Sequence, residues 1–369
     1  MAKMGVKSTN KSSIASYVLE KRDTTKAEIS SELGLSMPTI LSNVKELMEE
    51  GIIVIIGENE STGGRKAKAL SVNPEIRYAC GIDITSQHVS YVMINVFGDI
   101  IDKTVIKRDF VNSNAYYDSL SEDFEAFLVK TGIDETKLLG IGFSIPGIVD
   151  AKQKRLIRSN VLKLNDFSLK TISKRFRFDC SFENDANSAA YTESIQNHLN
   201  VVFLALKNNV GGSFHIRHDQ YYGNNFRAGE FGHITLVPEG RPCHCGKKGC
   251  VDTYLSAKAL TKSTDGDLDL FFEKLESGDK ATKAIWEEYI DLLAIFVVNL
   301  RLGYDCDVII GGDVGTYIDK HMDEITDHIL MYDKYDNDAL YVRTSRYKRE
   351  ASAVGIALTF VERFFHTLH

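Results

Sequence analysis

Four residues with metal-ligand chemistry fall close together in the second half of the chain: His233, Cys243, Cys245 and Cys250. Three thiolates and one imidazole make a closed tetrahedral set. Such a set suits a structural zinc ion and leaves no open position for catalysis. Gly246 and Gly249 let the backbone wrap tightly around an ion. His244, between two of the ligands, is read as a bystander. Cys80, Cys180 and Cys306 stand in apolar, strand-like runs and are expected to be buried. Met1–Ser13 is polar and lacks a signal-peptide core, so the chain is expected in the cytoplasm. There, such a density of cysteine favours a metal over disulfides.

A second constellation suits hydroxyl groups. Asn184-Asp185 follows a strand-like run, Phe178–Phe182, and precedes a helix. Open α/β folds place ligands at such strand ends. A carboxylate beside an amide offers several hydrogen-bonding positions to vicinal hydroxyls. The plainer alternative for this pair is a helix N-cap.

A third group suits DNA. Ile14, Tyr17 and Val18 give a first helix one apolar face. Thr25-Lys26-Ala27-Glu28 fits a capping box and opens a second helix that stops at Gly34. A third is predicted from Met37 to Glu49, with Pro38 in its first turn and Ile40, Val44, Leu47 and Met48 facing inward. Ser36, Thr39, Ser42, Asn43 and Lys45 are left outward, suited to phosphates and base edges. A strand at Ile52–Ile56, the tip Ser61-Thr62-Gly63-Gly64-Arg65-Lys66 and a return strand through Leu70 and Val72 read as a basic wing. Arg65 and Lys66 could reach a minor groove or a phosphate. Helix, turn, helix and wing in this order favour DNA binding over an adaptor role.

The elements that must position these groups suggest more than one domain in 369 residues. No apolar run approaches the roughly 20 residues that span a bilayer. The net charge is −7; residues 1–72 carry ten cations and nine anions, leaving −8 on the remainder. A near-neutral head can still bind DNA if its cations share one face, so total charge decides nothing. From Tyr78 the pattern turns to strands: Tyr78–Ile84, Val89–Val96, Ile100–Ile106 and, after a helix through Tyr116, Leu120, Phe124 and Phe127, Leu138–Ile145. A second set follows, with Val201–Leu206, Ser213–Arg217, a helix over residues 282–302 and a strand at Asp307–Ile310. Periodicity alone gives an α/β chain of two lobes.

His233, nine residues, Cys-x-Cys-Gly-x-x-Gly-Cys resembles the signature of the ROK (repressor, open reading frame, kinase) family, and Ser61-Thr62-Gly63-Gly64-Arg65 resembles the wing of its repressors. The resemblance covers roughly residues 78–366 plus the head. It implies an N-terminal winged helix-turn-helix joined to a two-lobed actin-like (ribonuclease H-like) sugar-kinase fold. The implied divisions are a head at 1–72, a first lobe at 78–196 that residues 351–366 join, and a second lobe at 197–350. It further implies a sugar site of Gly147, Asn160, Asn184, Asp185, Glu230, His233 and Asp252, the family usually carrying Glu at the last position. In kinases of the family the aspartate matching Asp185 is the general base.

The nucleotide loops depart from those kinases. Asp83-Ile84-Thr85-Ser86-Gln87 stands where they read Asp-Ile-Gly-Gly-Thr, and Lys207-Asn208-Asn209-Val210-Gly211-Gly212-Ser213 where they read Gly-Thr-Gly-Ile-Gly-Gly-Gly. Glycines there let phosphates approach backbone N–H groups, so ATP is not expected as a cofactor and no catalytic residue is expected. The expected function is a sugar-responsive regulator, binding operator DNA as a homodimer and a monosaccharide as effector, with structural zinc and no membrane partner. The alternatives are an ATP-dependent hexose kinase with an accessory DNA-binding head, and a sensor whose main partner is another protein.

Overall fold

The computed structural model describes residues 9–58, 68–194, 200–217 and 219–369. The head forms from local signals. α1 (Asn10–Lys21) buries Ile14, Ala15 and Val18. α2 (Lys26–Leu33) opens on the predicted capping box and ends at Gly34, in the left-handed region at φ 63°. α3 (Met37–Glu49) is capped by Ser36 and buries Ile40, Val44 and Leu47. β1 (Ile53–Glu58) and β2 (Lys68–Val72) pair antiparallel as the stem of the wing. The tip, with Arg65 and Lys66, lies outside the described residues.

The first lobe begins with a meander of β3 (Tyr78–Ile84), β4 (His88–Asn95) and β5 (Ile100–Lys107), followed by α4 (Asn114–Thr131) and β6 (Leu138–Ile145). A small antiparallel sheet comes next, of β7 (Ile148–Asp150), β8 (Arg155–Ser159) and β9 (Leu164–Ser168), which the sequence pattern did not predict. α5 (Lys170–Ser173), β10 (Cys180–Asn184) and α6 (Asp185–Ser194) complete the lobe. Its main sheet has the order β10-β6-β3-β4-β5, antiparallel through the meander and parallel where β6 and β10 join.

The second lobe repeats that plan. β11 (Val201–Leu206), β12 (Val210–Ile216) and β13 (Asp219–Gln220) form the meander. α7 (Asp252–Leu255), α8 (Ala257–Leu260), α9 (Leu268–Glu276) and α10 (Lys280–Tyr304) follow. Then come β14 (Asp307–Gly311), α11 (Gly312–Ile318), α12 (Met322–Tyr332) and β15 (Val342–Thr344). The sheet order is β13-β12-β11-β14-β15, with β14 and β15 parallel to β11. The arm expected at Ser213–Arg217 starts earlier, because Leu206 pairs with Val210 across a three-residue link.

α13 (Ala351–His366) returns to the first lobe, packing on α6, β3, β4 and β6. Gly355 permits the crossing: a Cβ there would stand 1.6 Å from the Ser188 carbonyl oxygen. Ile14, Ala15 and Val18 of the head share one apolar core with Ala79, Val92 and Ile94 of the first lobe and Val354, Val361 and Phe365 of α13. The seam is also polar: Ser12 Oγ donates to the Phe365 carbonyl at 2.9 Å and Thr9 Oγ1 to that of Leu368 at 2.8 Å. The head is therefore docked against the body, although residues 1–72 read as a unit by themselves. Among the described residues, no helix is long and apolar enough to cross a membrane.

Candidate functional site

The two lobes meet in a cleft at the C-terminal end of β10, lined by Gly147, Asn184, Asp185 and Asn187 on one side and by Gly211, Gly229 and Glu230 on the other. Asn184 does capping work as well. Its Oδ1 accepts from Ala186 N (2.8 Å) and Asn187 N (3.0 Å), and its Nδ2 donates to the Gly147 carbonyl at 2.8 Å. That carbonyl belongs to a turn only glycine suits: φ is 133°, and a Cβ would stand 2.5 Å from the Arg158 carbonyl oxygen. Asp185 faces the cleft with its Oδ2 3.1 Å from Lys207 Nζ. Partial desolvation by the cleft walls, with the like charge of Asp185, holds the Glu230 carboxyl above its ordinary range, against the nearby His233 and Arg227.

Asn160 and Asp252, expected in the sugar site, do not line this cleft. Asn160 is exposed and accepts from Arg158 Nε at 2.9 Å. Asp252 is buried, and its carboxylate accepts from Val210 N (2.6 Å) and Asn209 Nδ2 (3.3 Å). The short aspartate side chain is thus tied to the β11–β12 link. His233 also stands off the cleft wall, three residues beyond Glu230, with Nδ1 3.7 Å from Cys243 Sγ.

Two aromatic residues escaped the sequence reading. Tyr222 and Phe226 line the cleft, and their rings meet edge to face at 6.0 Å. The Tyr222 hydroxyl donates to Glu183 Oε2 at 2.6 Å, tying the second lobe to the first. Phe226 holds φ 57°, an uncommon conformation for a bulky residue. The signal was available: an aromatic pair in the polar loop just before Glu230.

The predicted metal ligands converge. One ligand atom each from His233, Cys243, Cys245 and Cys250 lies within 4.8 Å of the others. Cys245 Sγ and Cys250 Sγ are 3.7 Å apart. Metal–sulfur bonds of about 2.3 Å in a tetrahedron place sulfurs about 3.8 Å apart, so the donor set and spacing fit zinc. Gly249, at φ 76°, lies where a Cβ would meet the Val237 carbonyl oxygen at 1.7 Å. His244 is outside the four-ligand group, with its Nδ1 3.4 Å from Asp252 Oδ2 and 3.9 Å from Cys243 Sγ.

The phosphate-loop positions are internally bonded. Thr85 Oγ1 accepts from Gln87 N (3.3 Å) and from His88 N at the start of β4 (3.0 Å), so the loop closes on itself. In the second loop Val210 N is held by Asp252. The surviving glycines have packing reasons. A Cβ at Gly212 would meet the Phe231 ring at 2.1 Å, one at Gly311 the Phe203 ring at 2.4 Å, and one at Gly312 the Leu206 backbone at 2.7 Å.

On the head, Ser36, Ser42 and Lys45 are exposed, with Thr39 and Asn43 half-buried. Ser36 Oγ caps α3 and meets Thr39 Oγ1 at 2.8 Å; Asn43 Nδ2 donates to the Thr39 carbonyl at 2.8 Å. Lys45 pairs with Glu49 at 3.6 Å. With Glu46, Glu49 and Glu50 at its C-terminal end, α3 offers its neutral N-terminal half to a polyanion. Met37 and Leu41, 41% and 46% exposed, stand on that half and were not foreseen. Such apolar side chains suit thymine methyl groups.

Comparisons with known proteins agree with this architecture. A winged helix-turn-helix DNA-binding pattern matches residues 10–54. The xylose repressor of Bacillus spizizenii is 31% identical over 266 residues, which span 70% of this chain and 68% of that protein. Among solved structures, a ROK family transcriptional regulator homologous to the E. coli MLC protein superposes with a TM-score of 0.73 at 18% identity, over 97% of each chain. The ROK hexokinase from Thermus thermophilus superposes with a TM-score of 0.63 at 22% identity, over 76% of this chain and 97% of its own. The sequence pattern of the ROK family itself extends over residues 79–363, both lobes and most of α13, and the chain is a member of that family.

Proposed function

We propose that this protein is a sugar-responsive transcriptional regulator, a repressor of carbohydrate-utilisation genes that binds operator DNA through its head and a monosaccharide in the inter-lobe cleft without phosphorylating it. One observation carries the reading. A DNA-binding head is built onto a sugar-kinase-like cleft whose loop amides at Gln87 and Val210 are already bonded within the protein. Asp185, Glu230 and the amide of Asn187 are the groups offered to hydroxyls. One zinc ion per chain would be held by His233, Cys243, Cys245 and Cys250, supplying a rigid cross-link behind Glu230 rather than an open Lewis-acid position. The relative named as a xylose repressor makes D-xylose the first sugar to try. A homodimer reading an inverted repeat completes the proposal, since one helix-turn-helix contacts few bases.

A thermal-shift screen over common sugars, with and without Mg-ATP, tests the reading. A sugar at 100 times its Kd adds about 2.7 kcal/mol of stability, and the shift should be the same with nucleotide present. Steady sugar-phosphate production by the wild type, abolished in Asp185→Asn, would move the protein into the kinase class. Full zinc occupancy retained in a Cys245→Ala, Cys250→Ala double variant would refute the metal assignment. A strict monomer by light scattering that still binds operator tightly would refute the dimer.

A further inference from the structure

The β11–β12 link places a lysine where a nucleotide-using cleft needs open glycine backbone. Lys207 follows β11 directly, and its side chain is 23% exposed. Its ammonium donates to Asp185 Oδ2 at 3.1 Å and to Ser352 Oγ, in the first turn of α13, at 2.9 Å. Ser352 Oγ in turn donates to the Asp185 carbonyl oxygen at 3.0 Å. Two further carboxylates, Asp83 at the end of β3 and Asp313 at the start of α11, act on the same ammonium through their charge. Asp83 is 7% exposed and accepts from Ser144 Oγ at 2.6 Å.

One carboxylate is bonded to the ammonium and two more, one from each lobe, are near enough to act on it by charge, and a partly dehydrated acidic group of that kind requires a cation. Clefts that transfer phosphoryl groups recruit a divalent ion together with the nucleotide. Here the cation is covalently part of the chain. We infer that Lys207 is a built-in counter-ion that takes the place of a divalent cation in this cleft and positions Asp185 as a hydrogen-bond acceptor for a sugar hydroxyl. One carboxylate oxygen of Asp185 is engaged by the ammonium and the other is left for the ligand. Burial opposes a charge on Lys207, but Asp185, Asp83 and Asp313 outweigh it and hold the ammonium above the ordinary lysine range. The inference rests on the sugar-receptor reading, and it explains how such a receptor offsets part of the negative charge of its cleft without a nucleotide-borne divalent ion.

The test is Mn2+ binding to the zinc-loaded full-length protein, followed by the electron paramagnetic resonance signal of free Mn2+. The wild type should show no Mn2+ site that depends on Asp185. Lys207→Met should gain one site per chain, at least tenfold tighter than any in the wild type. Lys207→Arg, which keeps a cation, should gain none. Adding Asp185→Asn to Lys207→Met should weaken the gained site about tenfold. A lysine with a merely structural role would lower the melting temperature without creating a metal site. A folded Lys207→Met that gains no Mn2+ overturns the inference. Should Lys207→Met fail to fold, the wild type decides: Mn2+ bound there and lost in Asp185→Asn overturns the inference, and its absence sustains it. Turnover of Mg-ATP with D-xylose, D-glucose or N-acetylglucosamine would instead refute the receptor reading, whatever the Mn2+ result.

Discussion

Removing the metal should weaken sugar binding through Glu230 and leave the DNA-binding head untouched. Glu230 begins the short helical turn that ends at His233, and His233 N donates back to the Glu230 carbonyl at 3.1 Å. In the proposed zinc-loaded protein, His233 would anchor the far end of that turn. Its near end is fixed by Phe231, 2% exposed in the core of the second lobe. Loss of metal therefore loosens Glu230 without expelling it. A hydrogen bond to a charged group contributes about 1.5–3 kcal/mol, and each 1.4 kcal/mol is a factor of ten. Complete loss of the Glu230 contact would thus cost roughly 10- to 150-fold in affinity, and partial loosening should fall toward the lower end. The assay is calorimetry with the sugar that scores in the thermal screen, before chelation, after chelation and after zinc is restored. Metal is counted at each stage by elemental analysis, and operator binding without sugar is followed by fluorescence anisotropy. Loss of one metal equivalent with sugar affinity unchanged within twofold would refute the reasoning, because Phe231 alone would then suffice to hold Glu230. A fall in operator affinity without sugar would refute the separation of the two sites.

Asp185→Asn should weaken sugar binding by about 1–3 kcal/mol, since the amide can bond a hydroxyl but disturbs the charge balance with Lys207; unchanged calorimetry would place the sugar elsewhere. Lys45→Ala should reduce the salt dependence of operator binding by about one unit of slope, with sugar binding unaffected. Arg65→Ala should likewise weaken DNA binding alone, and an unchanged anisotropy titration would remove the wing tip from the interface. Gly355→Ala should destabilise the fold by about 1–3 kcal/mol or more, because the added methyl forces α13 away from α6; a wild-type denaturation midpoint would contradict the crossing geometry.

What the sequence made legible was mostly local. The capping box at Thr25, the stop at Gly34 and Pro38 in the first turn of α3 act within a few residues, and α3 runs from Met37 to Glu49 as predicted. Val201–Leu206 is a fully apolar run and Leu138–Ile145 one broken only by glycines and Ser144, and both are strands with the predicted bounds. The four metal ligands were legible because their spacing encodes one compact loop. What stayed hidden depends on partners far away in the chain. The β7–β9 sheet has no consistent alternation, so its pairing is set by tertiary context. Asp252 reads like a ligand contact, but its bond to Val210 N, forty-two residues away, could not be foreseen. Glu193 accepts from Arg343 at 2.6 Å, Ser345 at 2.9 Å and Arg346 N at 2.8 Å, joining the lobes by an ion pair invisible in a linear reading. Gly212 and Gly311 are required by the rings of Phe231 and Phe203, contacts that no local motif announces.

The shared core between α1 and α13 also has a consequence for synthesis. Ribosomes add about 5–20 residues per second, so the roughly 340 residues separating α1 from α13 take about 20–70 s to make. Throughout that time Ile14, Ala15 and Val18 lack the cover that Val354, Val361 and Phe365 provide in the finished chain. A nascent or prematurely terminated chain carries a winged head with one apolar face bare. Such a fragment presents a surface suited to chaperones. α13, made some 340 residues after α1, thus completes the cover of that face only once both lobes have been synthesised.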